Sequence, residues 1–366
     1  MDYLKDLKYH FKPKKGWMND PNGLVFFDGY FHAFYQHCPN REQPWDGEYM
    51  HWGHARTKDY LTWEELPVAL TPELPYEDQG CWSGTAIVKD DTLYLFYASV
   101  TERNGERYRR QTVSVAYSKD GIHFEKYEKN PVIPEFPADG SADFRDPAVF
   151  LDNGKYYCVI ASGRPEIHKG RLLIYESDNL LDWEYKGIMY ELDGANVAEC
   201  PSIVRSGDKM LVAMSALTPE SHFFEVGVGS FENGVFRREY AYNFDRGPDQ
   251  YAGQAYNDDK GRPIIMSWVP GWSYSRFAKR SIGCLSLPRE MTLRDGKVFA
   301  YPIEELRYLL SDTDEAVTMT ENGFTVKRAK GDITHVGKVD DIKILRDEYV
   351  LEIFVNGGEI NYTVIL

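Results

Sequence analysis

Three short runs in this 366-residue chain put a carboxylate next to a proline or one residue before it: Asn19-Asp20-Pro21, Arg145-Asp146-Pro147 and Glu199-Cys200-Pro201. Asp and Glu side chains can serve as nucleophile, general acid or general base. Two of them in one pocket are the equipment for cleaving a glycosidic bond. One such run alone reads equally well as an Asx turn, in which Asp and Asn cap the chain. Three runs of one texture, each ahead of a β-rich segment, are hard to explain as turns. They imply one shared pocket, provided the fold brings the starts of three strands together.

The elements that could do this recur along the chain. Five times a β-rich run is broken by an acidic or glycine turn and followed by a second β-rich run. The turns are Asp28-Gly29, Asp90-Asp91, Asp152-Asn153-Gly154, Ser206-Gly207-Asp208 and Asp258-Asp259-Lys260-Gly261. Their spacing of about 50–60 residues falls near propeller-blade periods, and turns of this kind between apolar runs signal hairpins. A second repeat has a similar period: Thr57-Lys58-Asp59, Ser118-Lys119-Asp120 and Ser177-Asp178-Asn179, each followed within a few residues by an aromatic. The alternation within each run predicts half-buried antiparallel strands. The fold expected is all-β: a five-bladed propeller over residues 1–300, a linker at 301–311 that could be helical, and a shortened sandwich-like module at 312–366. Blades around one axis would bring Asp20, Asp146 and Glu199 to equivalent positions at the centre.

Composition narrows the partners. With 57 acidic against 42 basic residues the formal charge is −15, which argues against nucleic acid and anionic membrane surfaces. The start of the chain has no apolar run of signal-peptide length, and no later run is long enough to span a bilayer. Cys38, Cys81, Cys158, Cys200 and Cys284 are scattered, odd in number and without a CxxC pair. Neither a disulfide framework nor a zinc site is expected, and a reducing cytoplasm fits best. His51 and His54 are three apart with no evident third ligand, so hydrogen bonding is expected there rather than a metal. No cofactor is implied.

The three motifs, with Phe34-Tyr35-Gln36, His51-Trp52-Gly53-His54-Ala55, Ser83-Gly84, Asp249-Gln250-Tyr251-Ala252 and Leu287-Pro288-Arg289-Glu290, resemble glycoside hydrolase family 32, the β-fructofuranosidases. The resemblance spans about residues 10–310 in order and implies a five-bladed propeller carrying a C-terminal β-sandwich. It implies that Asp20 is the nucleophile at the anomeric carbon, Glu199 the acid and then the base, and Asp146 an ionised stabiliser of the transition state. It also implies that Asn19, Gln36, Ser83 and Arg145 contact the terminal fructose. Trp45, Trp82, Tyr251 and Trp268 are the expected walls, since sugars are held by polar groups with aromatic faces against their C–H surfaces. Arg145 is expected to hold Asp146 ionised, and the Cys200 thiol to tune the acid.

The expected reaction is retaining hydrolysis of terminal non-reducing β-D-fructofuranosyl units from sucrose, sucrose-6-phosphate or fructo-oligosaccharides. Fructosyl transfer through the same covalent intermediate is the alternative, and a binding propeller without catalysis the remote one. The C-terminal module looks about half the family's length, which leaves propeller surface for something such as a second subunit to cover. A homo-oligomer is therefore among the expected partners, beside the sugar. Arg103, Arg107, Arg109 and Arg110 read either as a solvated turn or as a grip for a 6-phosphate.

Overall fold

The computed structural model describes residues 7–44, 47–102, 109–218, 222–272 and 283–366. Five antiparallel sheets follow one another along the chain, four strands each, with a short extra strand Cys284–Leu285 in the fifth. Their first strands are Trp17–Phe27, Gly80–Lys89, Phe144–Asp152, Val197–Ser206 and Tyr251–Asn257. Each first strand packs beside the next, and the fifth returns to the first, closing a ring. The fold is a five-bladed β-propeller.

Local chemistry explains why each blade folds back on itself. At Asp28-Gly29, Asp90-Asp91 and Asn153-Gly154 both turn residues have φ between 47° and 79°, the left-handed pair that a tight hairpin demands and that Asp, Asn and Gly tolerate. The second repeat is a side-chain cap between third and fourth strands. Thr57, Ser118 and Ser177 hydroxyls accept the amides of Tyr60, Gly121 and Leu180 at 2.9–3.0 Å. Asp59, Asp120 and Asn179 each accept two further amides.

The second strands are not half-buried, as alternation suggests. Tyr30–Cys38, Lys155–Arg164 and Lys209–Leu217 are buried on both faces, because every blade lies between two others. Leu93, Leu95 and Tyr97 pack toward blade 1 with Phe34 and Trp52, whereas Phe96 on the opposite face joins Val113, Cys158 and Ile160 of blades 2 and 3. Met210, Val212 and Met214 face blade 3, and Leu211 and Ala213 face blade 5. The core is thus five wedges between blades.

After the last propeller strand, Lys297–Pro302, comes a 3-10 turn at Glu304–Leu309. Two three-stranded sheets follow, Val317–Thr320, Gly323–Val326, Ile333–Val336 and then Ile342–Asp347, Val350–Val355, Ile360–Ile365. They share a core of Phe324, Val326, Ile344, Leu351, Ile353, Val355, Tyr362 and Val364. Their junction with the propeller is ionic and buried. His10 bridges Asp347 (2.8 Å) and Glu352 (3.0 Å), while Arg289 bridges Asp245 (2.6 Å) and Glu352 (3.0 Å).

Candidate active site

All five first strands carry a β-bulge near their start. In blade 1, Asn19 and Asp20 lie opposite one residue; in blade 2 the extra residue is Ser83. In blades 3, 4 and 5 the bulged pairs are Asp146-Pro147, Cys200-Pro201 and Ala252-Gly253. A bulge breaks the strict in-and-out alternation of a strand and re-aims its side chains. Asp146, Cys200 and Ala252 hold φ of 55°, 46° and 52°, a region that non-glycine residues enter rarely and often at functional sites.

The three carboxylates therefore do not share one equivalent position, as their neighbouring prolines suggest. Glu199 is the last paired residue before its bulge, Asp146 the first bulged residue and Asp20 the second. Pro21 is still paired in blade 1, whereas Pro147 and Pro201 lie inside their bulges. The stagger lets three different strand positions converge.

They converge on a cavity of about 260 Å³ lined by Asn19, Asp20, Gln36, Met50, Trp82, Ser83, Gln111, Asp143, Arg145, Asp146, Glu199, Cys200, Tyr251 and Trp272. Asp20 Oδ1 accepts from Asn19 at 3.1 Å, and Oδ2 from the Ser83 hydroxyl at 2.7 Å and the Cys200 thiol at 3.4 Å. Asn19 is itself set by the Trp17 indole N–H, 2.6 Å from its Oδ1. Both Glu199 oxygens are engaged, Oε1 by Arg145 Nη2 at 2.7 Å and Oε2 by the Tyr251 hydroxyl at 2.6 Å. Asp146 Oδ2 accepts the Cys200 amide at 2.9 Å.

Burial dominates the electrostatics. It raises the Asp20 carboxyl above its ordinary range, with Glu199 adding to the rise and the Ser83 and Asn19 donors opposing it. Burial also lifts Asp146 to about 7; Arg145 opposes this, and the charges of Glu199 and Asp20 reinforce it. The Cys200 thiol is pushed well up by burial beside the carboxylates, so it is a neutral donor and not a thiolate.

Several expectations change. Trp268 is not a wall: it is fully buried behind the cavity, edge-on to Trp17 and Trp272. Trp272 takes the place at the surface of the cavity, with Gln111 and Asp143, none of which the sequence motifs single out. Arg145 does not chiefly serve Asp146, which is 4.0 Å from its Nε; its close partners are Glu199 and Asp143. The Cys200 thiol touches Asp20 and Asp146 instead of Glu199. Tyr251 lines the cavity but acts on Glu199 through its hydroxyl. Gln36 lines it too, its amide held on the Cys81 carbonyl at 3.0 Å. Trp82 stands over Gly80, where a Cβ would come within 2.8 Å of the indole. Trp45 lies outside the described residues, as do Arg103 and Arg107; Arg110 pairs with Glu135 and the Pro134 carbonyl. His54 bonds His32 at 2.9 Å and His51 the Tyr49 carbonyl at 2.8 Å.

A larger cavity, about 470 Å³, opens farther along the same strands. Its Thr85, Ser202 and Gln254 side chains are engaged in bonds between blades. The three carboxylates line the smaller one.

Residues 10–302 match the N-terminal domain of glycosyl hydrolases family 32. The chain belongs to glycoside hydrolase family 32. Among its relatives in that family, it is 36% identical to a raffinose invertase of Escherichia coli over 319 residues. It is 33% identical to a sucrose-6-phosphate hydrolase of Bacillus subtilis over 324 residues. In both cases 82% of this chain is matched, and the chain spans 65% of the relative's length. A mutant family 32 β-fructofuranosidase from Bombyx mori, solved in complex with sucrose, superposes with a TM-score of 0.85 at 27% identity, over 100% of this chain and 89% of that one.

Proposed function

We propose that this family 32 protein is a retaining β-fructosidase that removes terminal β-D-fructofuranosyl units from sucrose, its 6-phosphate or short fructo-oligosaccharides. One observation carries this reading. Asp20, pinned by Asn19 and Ser83, and Glu199, held by Arg145 and Tyr251, line a single cavity. That cavity is smaller than pockets for drug-sized ligands and on the scale of one sugar unit.

On this reading the reaction runs in two steps. An Asp20 oxygen attacks the anomeric carbon while Glu199 passes its proton to the glycosidic oxygen, whose bond to that carbon breaks. The resulting ester is then displaced by water, from which Glu199 recovers the proton. Positive charge builds on the ring in both transition states. It favours the ionised form of Asp146, whose proton is loosely held near neutrality in the sugar-free cavity. The names of relatives, invertase and sucrose-6-phosphate hydrolase, support a fructoside as substrate.

Cys81, Cys158, Cys200 and Cys284 are buried free thiols, which supports a reducing compartment as the site of action. No described helix is long and apolar enough to cross a membrane. The test is a side-by-side measurement of fructose release from sucrose, sucrose-6-phosphate, 1-kestose, inulin and levan. Release from none of them sinks the proposal.

A further inference from the structure

Glu199 has to carry a proton to act as an acid, yet Arg145 grips its Oε1 in a buried site. A buried guanidinium left without a partner is costly, so Arg145 alone would oppose every protonation of Glu199. The structure supplies a second anchor. Asp143, two residues upstream on the same blade and half-exposed at the cavity wall, accepts from Arg145 Nη1 at 2.5 Å. Its position is fixed from the backbone side, since its carbonyl accepts the Ser162 hydroxyl at 2.7 Å. Gln111 holds the adjacent Phe144 amide at 2.9 Å and stands 3.5 Å from the same Nη1.

We propose that Asp143 is a positioning residue for the acid–base step: it retains Arg145 when Glu199 takes up its proton and so extends proton donation to higher pH. This rests on the reading of Glu199 as the acid. The other groups facing Glu199 do not substitute for it. Asp20 from blade 1 and Asp146 from blade 3 add like charge, but Asp146 is 4.0 Å from Arg145. Blade 5 offers the Tyr251 hydroxyl, and the His222 ring of blade 4 packs edge-on to the Tyr251 ring, centroids 5.3 Å apart. Blade 2 presents Trp82, Ser83 and Gln111 to the cavity, none of them charged, and Cys200 is a neutral thiol.

Asp143→Asn removes the charge and leaves Glu199 as the close carboxylate of Arg145. The alkaline limb of kcat/KM on sucrose should then move down by about 0.5–1 pH unit, the order expected for losing one charge that shares the Arg145 guanidinium. Asp143→Glu should restore it. A titration of 13C-labelled glutamate carboxyls, with Glu199→Gln to assign the signal, should show the same downward shift without relying on turnover. Should Asp143→Asn misfold, Asp143→Ser gives the same comparison. If the Glu199 signal titrates unchanged or moves upward, Asp143 has no such role. A raised KM with an unmoved limb would equally rule that role out. A wild-type chain that cleaves no fructoside would instead overturn the proposed function, while the carboxyl titration still tests Asp143.

Discussion

At the scale of single residues, the roles proposed for Asp20 and Glu199 predict different responses to the leaving group. Glu199→Ala should slow sucrose hydrolysis by about 10²–10⁴-fold, the usual worth of general acid–base catalysis. Formation of the ester should be largely spared on a fructoside whose leaving group needs no proton. Asp20→Ala should abolish both, and equal losses for the two variants on both substrates would overturn the assignment. The Cys200 contacts yield a second prediction. The thiol donates to Asp20 and favours its ionised form, so Cys200→Ala should raise the acidic limb of the pH profile by up to about one unit. A shift of the alkaline limb instead would show that the thiol acts on Glu199. Residue type marked the three carboxylates in the sequence, because few side chains do that chemistry, whereas Ser83 and Arg145 were singled out as sugar contacts by the resemblance to the family. It could not place the tryptophans. Trp268 and Trp272 are alike in kind, and only the path of the fifth blade buries one behind the other. Asp143 carried a legible signal, an acid two residues before an arginine and just ahead of the strand Phe144–Asp152; its significance depends on where that arginine points.

At the scale of elements, the repeats made five blades legible because each rests on local chemistry, an Asp or Gly turn or a hydroxyl-and-Asx cap. The cap is testable by itself. Asp59 accepts the amides of Leu61 at 2.9 Å and Thr62 at 2.6 Å, far from the cavity. Asp59→Ala should cost about 1 kcal/mol, as for other side-chain caps, read as a lower urea midpoint with unchanged kcat. No loss of stability would mean that the turn holds through Thr57 alone. The bulges were not legible. Their position depends on how each first strand pairs with its neighbour, and the prolines mislead by one residue in blade 1. Burial of the second strands on both faces also escaped the alternation pattern, since it arises only when blades stack around the axis.

At the scale of the whole molecule, two buried clusters make stability respond to pH, and they act in different windows. Asp146 rises from 3.8 to about 7 on folding. Between those values the native chain holds a proton that the unfolded chain has lost, so stability declines as pH rises through the window and levels off above it. Asp146→Asn should therefore melt higher than wild type above pH 7, with the gap closing toward pH 4. The junction behaves otherwise. His10, between Asp347 and Glu352, is lifted from 6.5 to about 9: burial opposes the rise, and the hydrogen bonds and charges of the two carboxylates outweigh it. Its contribution is complete below pH 6.5 and is lost as pH rises through 9. Glu352 is lowered from 4.5 to about 2, with Arg289 and His10 overcoming its burial, so its share is present above pH 4.5 and fails as pH falls toward 2. Lys8, Tyr9 and His10 amides also bind Asp347 at 2.8–3.0 Å, which ties the start of the propeller to the C-terminal sheets. Removing one partner from such a buried cluster typically costs about 3–5 kcal/mol. His10→Gln should accordingly unfold at a much lower temperature at pH 6, and the difference from wild type should shrink steadily between pH 7 and 10. A gap that stays constant over that range would mean that His10 is neutral in the native junction and that packing, not charge, holds the C-terminal sheets to the propeller.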